Sequence, residues 1–351
     1  MSKPRIAVIF GGRSGEHEVS LRSARSVITA LDAARYEVVP LAISKLGHWL
    51  TGAQAAQMLA DPAGVAVTSG SLVPQGEALN QIDVVFPVLH GPLGEDGTVQ
   101  GLLELADLPY VGCGVTASAI GMDKAACKAI FAAHGLPQVP YLVLKRNHWE
   151  ADRAAVLAAI EKELSYPLFV KPANMGSSVG ISKATDTKTL HEALDLAARY
   201  DRKLIVEQGI NAREIEVSVL GNDQPAASLP GEVVPSREFY DYAAKYVTDD
   251  SLLLIPAPLS AEQTTAVQQL AVQAFRAIDG AGLARVDFLL DHDSGQLYLN
   301  EVNTMPGFTS ISMYPKLWEA SGLPLPELLN RLVDLALERH REKSRNATSY
   351  E

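Results

Sequence analysis

Cysteine and long apolar runs are what this sequence has least of. Its 351 residues include only Cys113 and Cys127, too few for a disulfide framework or a cysteine-based zinc site. No apolar run approaches the roughly 20 residues of a membrane helix, and the run at 6–10 is too short for a signal-peptide core. No Gly-Lys dipeptide occurs, which excludes a P-loop. These absences predict a cytoplasmic protein that does not enter a membrane.

Basic residues are also in deficit. The chain has 30 Lys and Arg against 41 Asp and Glu, a net charge of -11, so its overall field disfavours a nucleic-acid backbone as partner. Hydrophobic residues make up 47% and charged residues 20% of the chain, a balance typical of folded domains with sizeable cores. At about 150 residues per domain, the length predicts two or three domains.

Strand and helix patterns alternate in the first part of the chain. The apolar run Ile6–Phe10 is typical of a buried parallel strand, and apolar residues repeat at helical spacing over 19–31. This β-α-β order over about 120 residues predicts a doubly wound parallel sheet. Segment 44–81 interrupts the order with Gly, Pro, Ser and Gln, and we expect it to be a surface insertion.

The second part has a different organisation. Asp123 and Gly135 are typical start and stop signals of a helix, and one helix is predicted over 149–164. Strands on either side of a Gly/Ser loop predict a hairpin, and strands dominate from Glu214 on. We therefore expect an N-terminal α/β domain, a central lobe with the glycine/serine loop, a C-terminal lobe and a flexible tail. Their predicted bounds are 1–122, 123–217, 218–342 and 343–351.

Two short motifs suggest unrelated functions. Gly112–Ala117 matches G-x-G-x-x-A, but a dinucleotide site also requires an acidic residue about 20 positions on, and 131–140 contains none. A tight turn that enters a helix is favoured. Gly176–Gly180 matches the nucleophile elbow G-x-S-x-G, which needs a following helix, whereas 179–184 has the pattern of a strand. A hydrolase with Ser178 as nucleophile stays open, as does a binding module without catalysis.

The ribbon 283–303 combines acidic and basic residues with apolar neighbours. Strand alternation places Arg285 and Asp287 on one face. An odd-length loop centred on Ser294 places Asp287 opposite Glu301, and alternation predicts that Leu297, Leu299, Glu301 and Asn303 share a face. Carboxylate and amide oxygens suit Mg²⁺ or Mn²⁺. We expect Asp287, Glu301 and Asn303 to bind such ions next to Arg285.

Further polar residues lie at the ends of other predicted strands. Lys171 precedes the Gly/Ser loop 173–180, whose backbone N–H groups can cover a triphosphate, and Lys124 can add a second cation. Glu16 lies where the first strand meets a helix N-terminus, so both signs of charge are available to a zwitterion such as an amino acid. His90 follows another parallel strand and should open on the same crevice. The aromatic segment 236–254 has the length of a lid.

A series of motifs extends over most of the chain. In order they are Gly11-Gly12-Arg13-Ser14, Glu16, Glu18-Val19-Ser20, His90-Gly91, Gly94-Glu95-Asp96-Gly97, Met122-Asp123-Lys124, Lys171-Pro172, Gly176-Ser177-Ser178-Val179-Gly180, Tyr240-Asp241-Tyr242, Lys245-Tyr246, Arg285, Asp287, Asn300-Glu301-Val302-Asn303-Thr304 and Pro306-Gly307. The chain resembles D-alanine–D-alanine ligases of the ATP-grasp superfamily over residues 5–340. The resemblance implies a three-domain α/β and α+β architecture, a doubly wound sheet followed by a two-lobed ATP-grasp.

The resemblance also implies a reaction. ATP phosphorylates the carboxylate of one D-alanine, and the amine of a second D-alanine attacks the acyl phosphate and displaces phosphate. ATP, two Mg²⁺ or Mn²⁺ ions and a homodimer formed through the first domain are implied, and a monovalent cation activator stays open. An ATP-grasp ligase that makes D-alanyl-D-lactate is the alternative. Tyr246 favours the dipeptide, because relatives that make D-alanyl-D-lactate usually replace this tyrosine.

The resemblance assigns roles to individual residues. For the nucleotide they are Lys124 and Lys171 at the α- and β-phosphates, Lys245 at the γ-phosphate, Ser178 and Phe239 beside the nucleotide, Glu207 and Ile210 at adenine, and Glu214 at ribose. For the metal ions they are Asp287, Glu301 and Asn303. For the substrates they are Glu16 and His90 at the first D-alanine, Ser312 and Met313 at the second, and Arg285 and the Gly307 N–H at the oxyanion. Ser177 and Tyr246 are implied to link with Glu16 and close the lid.

Overall fold

The computed structural model of this protein describes residues 3–62, 79, 81–234, 252–347 and 349. Its strands are β1 Arg5–Gly11, β2 Glu37–Ile43, β3 Trp49–Leu50, β4 Val84–Val88, β5 Tyr141–Lys145, β6 Leu168–Pro172, β7 Ser182–Ala184, β8 Lys203–Gln208, β9 Ala212–Gly221, β10 Ala226–Ala227, β11 Gly231–Val234, β12 Leu252–Leu254, β13 Gly282–Asp291 and β14 Leu297–Asn303. Its helices are α1 His17–Ala30, α2 Gly52–Ala60, α3 Thr98–Leu105, α4 Val115–Met122, α5 Lys124–Ala133, α6 Arg146–Ala151, α7 Arg153–Glu163, α8 Thr187–Tyr200, α9 Ala261–Ala277, α10 Met313–Ala320 and α11 Leu325–Lys343.

The N-terminal sheet has the order β3-β2-β1-β4, with β2, β1 and β4 parallel. Side chains of β1 alternate between two hydrophobic cores, Ile6 and Val8 in one and Ala7 and Ile9 in the other. A strand buried on both faces requires a continuous apolar run. The predicted doubly wound parallel sheet is therefore confirmed.

Part of segment 44–81 belongs to this domain's core. The short strand β3 pairs with β2, and α2 follows it. Leu50, Ala55 and Met58 are buried in the same cluster as β1. The prediction of a surface insertion was wrong for 49–60, because even a short strand and a helix of mostly small residues can bury a few apolar side chains in the core of the domain. Residues 63–78 lie outside the described part of the chain.

The central sheet has the order β5-β8-β6-β7 and is antiparallel throughout. The predicted glycine hairpin joins β6 to β7, so a strand and not a helix follows the G-x-S-x-G motif, and the structural requirement of a nucleophile elbow is not met. The single helix predicted over 149–164 was wrong. Two helices occupy this stretch, because the Asp152 carboxylate caps α7 by accepting a hydrogen bond from the Ala155 N–H at 3.0 Å.

The C-terminal sheet has the order β12-β11-β9-β13-β14, with β10 on β9, and all its pairs are antiparallel. Its apolar face packs against α9, which begins at a capping box between Ser260 and Gln263. Val286 and Phe288 point into this core. Alternation therefore directs Arg285 and Asp287 to the opposite, polar face.

A bulge interrupts the β13–β14 pair. The register shifts by one residue beyond Asp287, so Asn300 is an extra residue on the return strand. The extra residue inverts the side-chain alternation, and Leu299 is buried in the core while Glu301 lies on the polar face. The prediction of one shared face for Leu297, Leu299, Glu301 and Asn303 was wrong for this reason.

The C-terminal helix α11 packs against the N-terminal sheet. Leu328, Leu332 and Val333 of α11 are buried in the same cluster as β1. Arg339 extends this contact, because its guanidinium lies 4.3 Å from the centre of the Tyr110 ring and donates to the Gly112 carbonyl. The Gly112–Ala117 stretch is the predicted tight turn that enters a helix, α4. Within the described residues, no helix is long and apolar enough to cross a membrane.

Candidate active site

Two rows of polar side chains cross the strands β9, β13 and β14. In the first row Glu216 lies opposite Asp287, and Asp287 lies opposite Glu301. In the neighbouring row Ser218, Arg285 and Asn303 face one another. Directly opposed residues on one face of a sheet have their Cβ atoms roughly 5 Å apart. The predicted pairing of Asp287 with Glu301 is present and belongs to a longer acidic row. The predicted odd-length loop centred on Ser294 was wrong, because the hairpin end pairs Leu290 with Leu297 and the bulge at Asn300 restores the Asp287–Glu301 pair.

Arg285 is held by both of its acidic neighbours. Its Nε and Nη2 donate to the two Asp287 oxygens at 2.7 and 2.6 Å, and its Nε lies 3.0 Å from Glu216 Oε2. Burial lowers the pKa of Arg285, but the Asp287 and Glu216 carboxylates outweigh it and raise the pKa well above its usual value. This arrangement fixes the guanidinium plane over the sheet.

Lys124 connects this row to the glycine/serine loop. It is the first residue of α5, whose N-terminus is capped by the Asp123 carboxylate as predicted. Its ammonium donates to the Met175 carbonyl at 2.8 Å and lies 3.7 Å from Glu301 Oε2. The loop between β6 and β7, the carboxylate of β14 and the start of α5 therefore meet at one cation.

The same loop also contacts the N-terminal domain. Ser177 donates a hydrogen bond to Glu16 Oε1, and both Ser177 and Ser178 have left-handed backbone angles, φ 49° and 60°. A Cβ on Gly91 or Gly176 would lie 2.6 or 3.0 Å from Glu16 Oε2. Because only glycine allows so close an approach, two backbones converge on this buried carboxylate.

His90 lies behind Glu16 at the end of β4. Its Nδ1 is 3.1 Å from the Met305 carbonyl and 3.5 Å from Glu95 Oε1, and its Nε2 is 3.2 Å from Ser23 Oγ. Burial lowers the pKa of His90, but the hydrogen bond and charge of Glu95 outweigh it, so the pKa is raised. The Ser14 hydroxyl donates to the His90 carbonyl at 2.7 Å, so the segments that carry Glu16 and His90 are adjacent, and their opening on a shared crevice stays a prediction.

The chain from 307 to 313 lies on the other side of His90. The Phe308 N–H donates to Ser23 Oγ, which in turn contacts His90. A Cβ on Gly307 would lie 2.7 Å from Ser312 Oγ, so a side chain at this position would displace Ser312. Ser312 precedes α10, and Met313 is buried beside Val233 and Leu317.

A buried ion triad lies under the glycine/serine loop. The Glu207 carboxylate on β8 contacts the ammonium groups of Lys171 on β6 and Lys128 on α5, the latter at 2.9 Å. Burial raises the pKa of Glu207, but the two lysines outweigh it and lower the pKa from 4.5 to about 2.

Glu214 faces Leu289 across the β9–β13 pair, two residues before Glu216, and Ile210 is half-buried between β8 and β9.

Sequence reasoning missed Glu216 and Lys128. The signal for each was periodicity: Glu216 follows Glu214 at the spacing of one strand face, and Lys128 follows Lys124 at the spacing of one helix face. Three predicted site residues, Phe239, Lys245 and Tyr246, lie outside the described residues, as does most of the predicted lid.

The two polar rows offer oxygen atoms that fit the coordination of a divalent cation. Carboxylate and amide oxygens are hard ligands of the kind Mg²⁺ and Mn²⁺ bind. Asp287 accepts from Arg285, and Asn303 Oδ1 accepts from the Met305 N–H at 3.0 Å, but each oxygen keeps a second lone pair. In the part of the chain that the structure describes, no group of three His, Cys, Asp or Glu side chains is gathered closely enough to hold a metal ion.

Comparisons with known proteins agree over the whole chain. The family model "D-ala D-ala ligase N-terminus" matches residues 5–113, and "D-ala D-ala ligase C-terminus" matches residues 130–334. A curated D-alanine–D-alanine ligase from Heliobacterium modesticaldum is 60% identical, and the match covers 99% of this chain and 98% of the relative. Another from Natranaerobius thermophilus is 49% identical, with 100% and 99% covered.

Solved structures give the same result. The D-alanine–D-alanine ligase of Coxiella burnetii has a TM-score of 0.84 and 38% identity, and the match covers 98% of this chain and 97% of that one. The VanG D-Ala:D-Ser ligase of Enterococcus faecalis has a TM-score of 0.82 and 35% identity, with 95% and 100% covered. Similarity of this extent spans nearly the whole chain.

Proposed function

This chain belongs to the D-alanine–D-alanine ligase family of ATP-dependent ligases, and we propose that it joins two D-alanine molecules. ATP is converted to ADP and phosphate, and the product is the dipeptide D-alanyl-D-alanine. The dipeptide supplies peptidoglycan synthesis. We further propose that the enzyme works in the cytoplasm as a homodimer and that a monovalent cation can activate it.

One set of contacts supports this function most directly. The loop between β6 and β7 is bound to Glu16 through Ser177 and to Lys124 through Met175, and Lys124 lies beside Glu301. A ligase of this type must bind an amino acid, a triphosphate and the divalent cation of that triphosphate close enough together to react. The three contacts bring candidate groups for each of them together.

The first substrate is proposed to bind between the N-terminal domain and the loop. The Glu16 carboxylate is an acceptor for its ammonium group, and His90 lies on the same side. The substrate carboxylate then lies toward Arg285. In this orientation one carboxylate oxygen can attack the terminal phosphorus of ATP, and ADP leaves to give an acyl phosphate.

The nucleotide is proposed to lie between the two lobes. Lys124, Lys171 and Lys245 neutralise the phosphate oxygens, and Ser178 and Phe239 border the nucleotide. Glu207 and Ile210 lie at the adenine and Glu214 at the ribose. Phosphoryl transfer depends on charge stabilisation more than on covalent catalysis. Asp287, Glu301 and Asn303 would hold the divalent ions, Mg²⁺ or Mn²⁺, which would supply such charge stabilisation to the phosphoryl group.

The second D-alanine is proposed to enter beside α10, where residues Ser312 and Met313 contact its carboxylate. Its amine attacks the carbonyl carbon of the acyl phosphate, and a tetrahedral oxyanion forms. Arg285 and the Gly307 N–H donate hydrogen bonds to that oxyanion, and phosphate leaves. Tyr246, with Ser177 and Glu16, closes the lid and favours an amine over a hydroxyl nucleophile.

Product analysis tests the proposal. We expect phosphate release from ATP and Mg²⁺ with D-alanine, no release with L-alanine, and a dipeptide as the main product when D-alanine competes with D-serine and D-lactate. The D-serine arm is included because a D-Ala:D-Ser ligase is among the similar structures. A main product containing D-lactate or D-serine would overturn the product assignment, and absence of phosphate release would overturn the ligase activity.

A further inference from the structure

Lys128 is a buried lysine that the proposed reaction does not use. Its exposed fraction is 2%, although lysine is almost never buried without a partner. Its ammonium lies 2.9 Å from Glu207 Oε1 and 5.2 Å from the centre of the Tyr141 ring. A carboxylate and an aromatic face together stabilise the buried charge.

Glu207 is shared between Lys128 and a second lysine. Its other oxygen contacts Lys171, whose side chain is 14% exposed, whereas that of Glu207 is 4% exposed. Burial lowers the pKa of Lys171, but Glu207, Glu301 and Glu214 outweigh it, so the pKa is raised and the ammonium stays charged. Two ammonium groups and one carboxylate carry a net single positive charge, and Lys171 is the member closest to solvent.

The balance of charge would change without Lys128. Glu207 and Lys171 alone form a neutral pair, and at low dielectric the attraction within such a pair is strong. A phosphate oxygen that approaches Lys171 would then compete with Glu207 for the same ammonium. When Lys128 is present, its ammonium neutralises the Glu207 carboxylate, and the charge of Lys171 is available to an anion.

We propose that Lys128 is a positioning residue of the nucleotide site, which neutralises Glu207 so that Lys171 can bind phosphate oxygens. This inference rests on the proposed function, because it assumes that a nucleotide occupies the space above Lys171. Lys128 itself touches neither nucleotide nor substrate. Its effect reaches the ligand only through Glu207 and Lys171.

The experiment compares a ligand that carries phosphates with one that does not. The dissociation constants of ADP and adenosine are measured by calorimetry for the full-length protein and for Lys128→Met, Glu207→Gln and the double variant. Methionine keeps the length and burial of the side chain without its charge. A structural effect on the adenine pocket would alter the affinities for ADP and adenosine alike. It therefore cancels in the ratio of the ADP affinity to the adenosine affinity.

We expect Lys128→Met to lower this ratio about fivefold to tenfold, since coupled charges interact at this scale. Glu207→Gln should leave the ratio unchanged or raise it, because Lys171 loses its internal anion. The double variant should restore the ratio of the unmodified protein. Additive losses in the double variant, or an unchanged ratio in Lys128→Met, would overturn the proposal.

Two further measurements keep the test decisive. If Lys128→Met does not fold, as judged by its melting curve, Glu207→Gln alone decides, and a lower ratio in that variant contradicts the proposal. If the unmodified protein binds neither ADP nor adenosine, the proposed ligase function fails. If the protein binds the nucleotide but the ratio of ADP affinity to adenosine affinity is the same in all variants, only the role of Lys128 is refuted.

Discussion

Ser177 and Glu16, separated by 161 residues of sequence, are joined by a hydrogen bond from the serine hydroxyl to the glutamate carboxylate. Ser177 belongs to the loop between β6 and β7, and Glu16 ends the loop after β1. The bond therefore connects the central lobe to the N-terminal domain at the proposed amino-acid site. A left-handed backbone conformation at serine destabilises the fold by about 1 kcal/mol or more. At Ser177 the hydrogen bond to Glu16 offsets part of this free energy.

Ser177→Ala and Ser178→Ala should affect different substrates. Loss of the Ser177 hydroxyl removes the bond to Glu16, and we expect the KM for D-alanine to rise about tenfold, the effect of one hydrogen bond to a charged group. Loss of the Ser178 hydroxyl should raise mainly the KM for ATP. Steady-state kinetics with each substrate varied in turn checks this. The same constant rising in both variants would contradict the assignment.

Asp287→Asn should remove divalent-ion binding and turnover together. We expect kcat to fall at least about a hundredfold and Mn²⁺ binding in the presence of ADP, followed by electron paramagnetic resonance, to be lost. The melting temperature should change little, because Glu216 still pairs with Arg285. Asp293→Asn, at the exposed tip of the same hairpin, is the control and should be silent. Full Mn²⁺ affinity in Asp287→Asn would refute the metal assignment.

Glu216→Gln should reduce catalysis through Arg285. The guanidinium loses one of its two acidic partners, and we expect kcat to fall roughly tenfold, a typical coupling between contacting charges. Glu232→Gln is the matched control: Glu232 is similarly buried on the same sheet, but it pairs with Arg213 at 2.6 Å. It should lower the melting temperature and leave kcat near its original value. Equal kcat losses in both variants would argue for general destabilisation.

Acid should destabilise the protein partly through Glu207. Its pKa falls from 4.5 to about 2 in the folded state, so the unfolded chain binds more protons between these values. Stability from this group is fully present above pH 4.5 and is lost as the pH falls toward 2, roughly 3 kcal/mol in all. Urea unfolding at a series of acidic pH values should show a shallower decline for Glu207→Gln. Parallel slopes would contradict the ion triad.

Much of the site followed from local patterns. The apolar run of β1, the cap at Asp123 and the spacing of Arg285 and Asp287 are each encoded within a few residues, because strand alternation and helix capping are short-range effects. The pairing of Asp287 with Glu301 was predicted from an odd-length loop centred on Ser294, and that loop was wrong: the end of the hairpin pairs Leu290 with Leu297, and only the bulge at Asn300 brings Glu301 opposite Asp287. The bulge did not follow from the sequence, because nothing local distinguishes one extra residue in the strand from one more in the turn.

Other features depend on contacts that no local pattern contains. The break between α6 and α7 depends on the cap at Asp152. The composition of 44–60 is as compatible with a surface loop as with the strand and helix that pack on the N-terminal core. Glu216 and Lys128 acquire their importance only from partners on other elements, Arg285 and Glu207.

The sequence by itself determined which groups are available: oxygen ligands on one ribbon, lysines beside a glycine/serine loop, and an acidic residue at a helix start. Only the tertiary structure decided which of them meet. Side-chain chemistry and strand or helix periodicity are local properties, whereas the contacts of Ser177 with Glu16 and of Lys124 with Glu301 arise where separate sheets pack together. That packing depends on the summed burial of many apolar side chains, which no single motif reports.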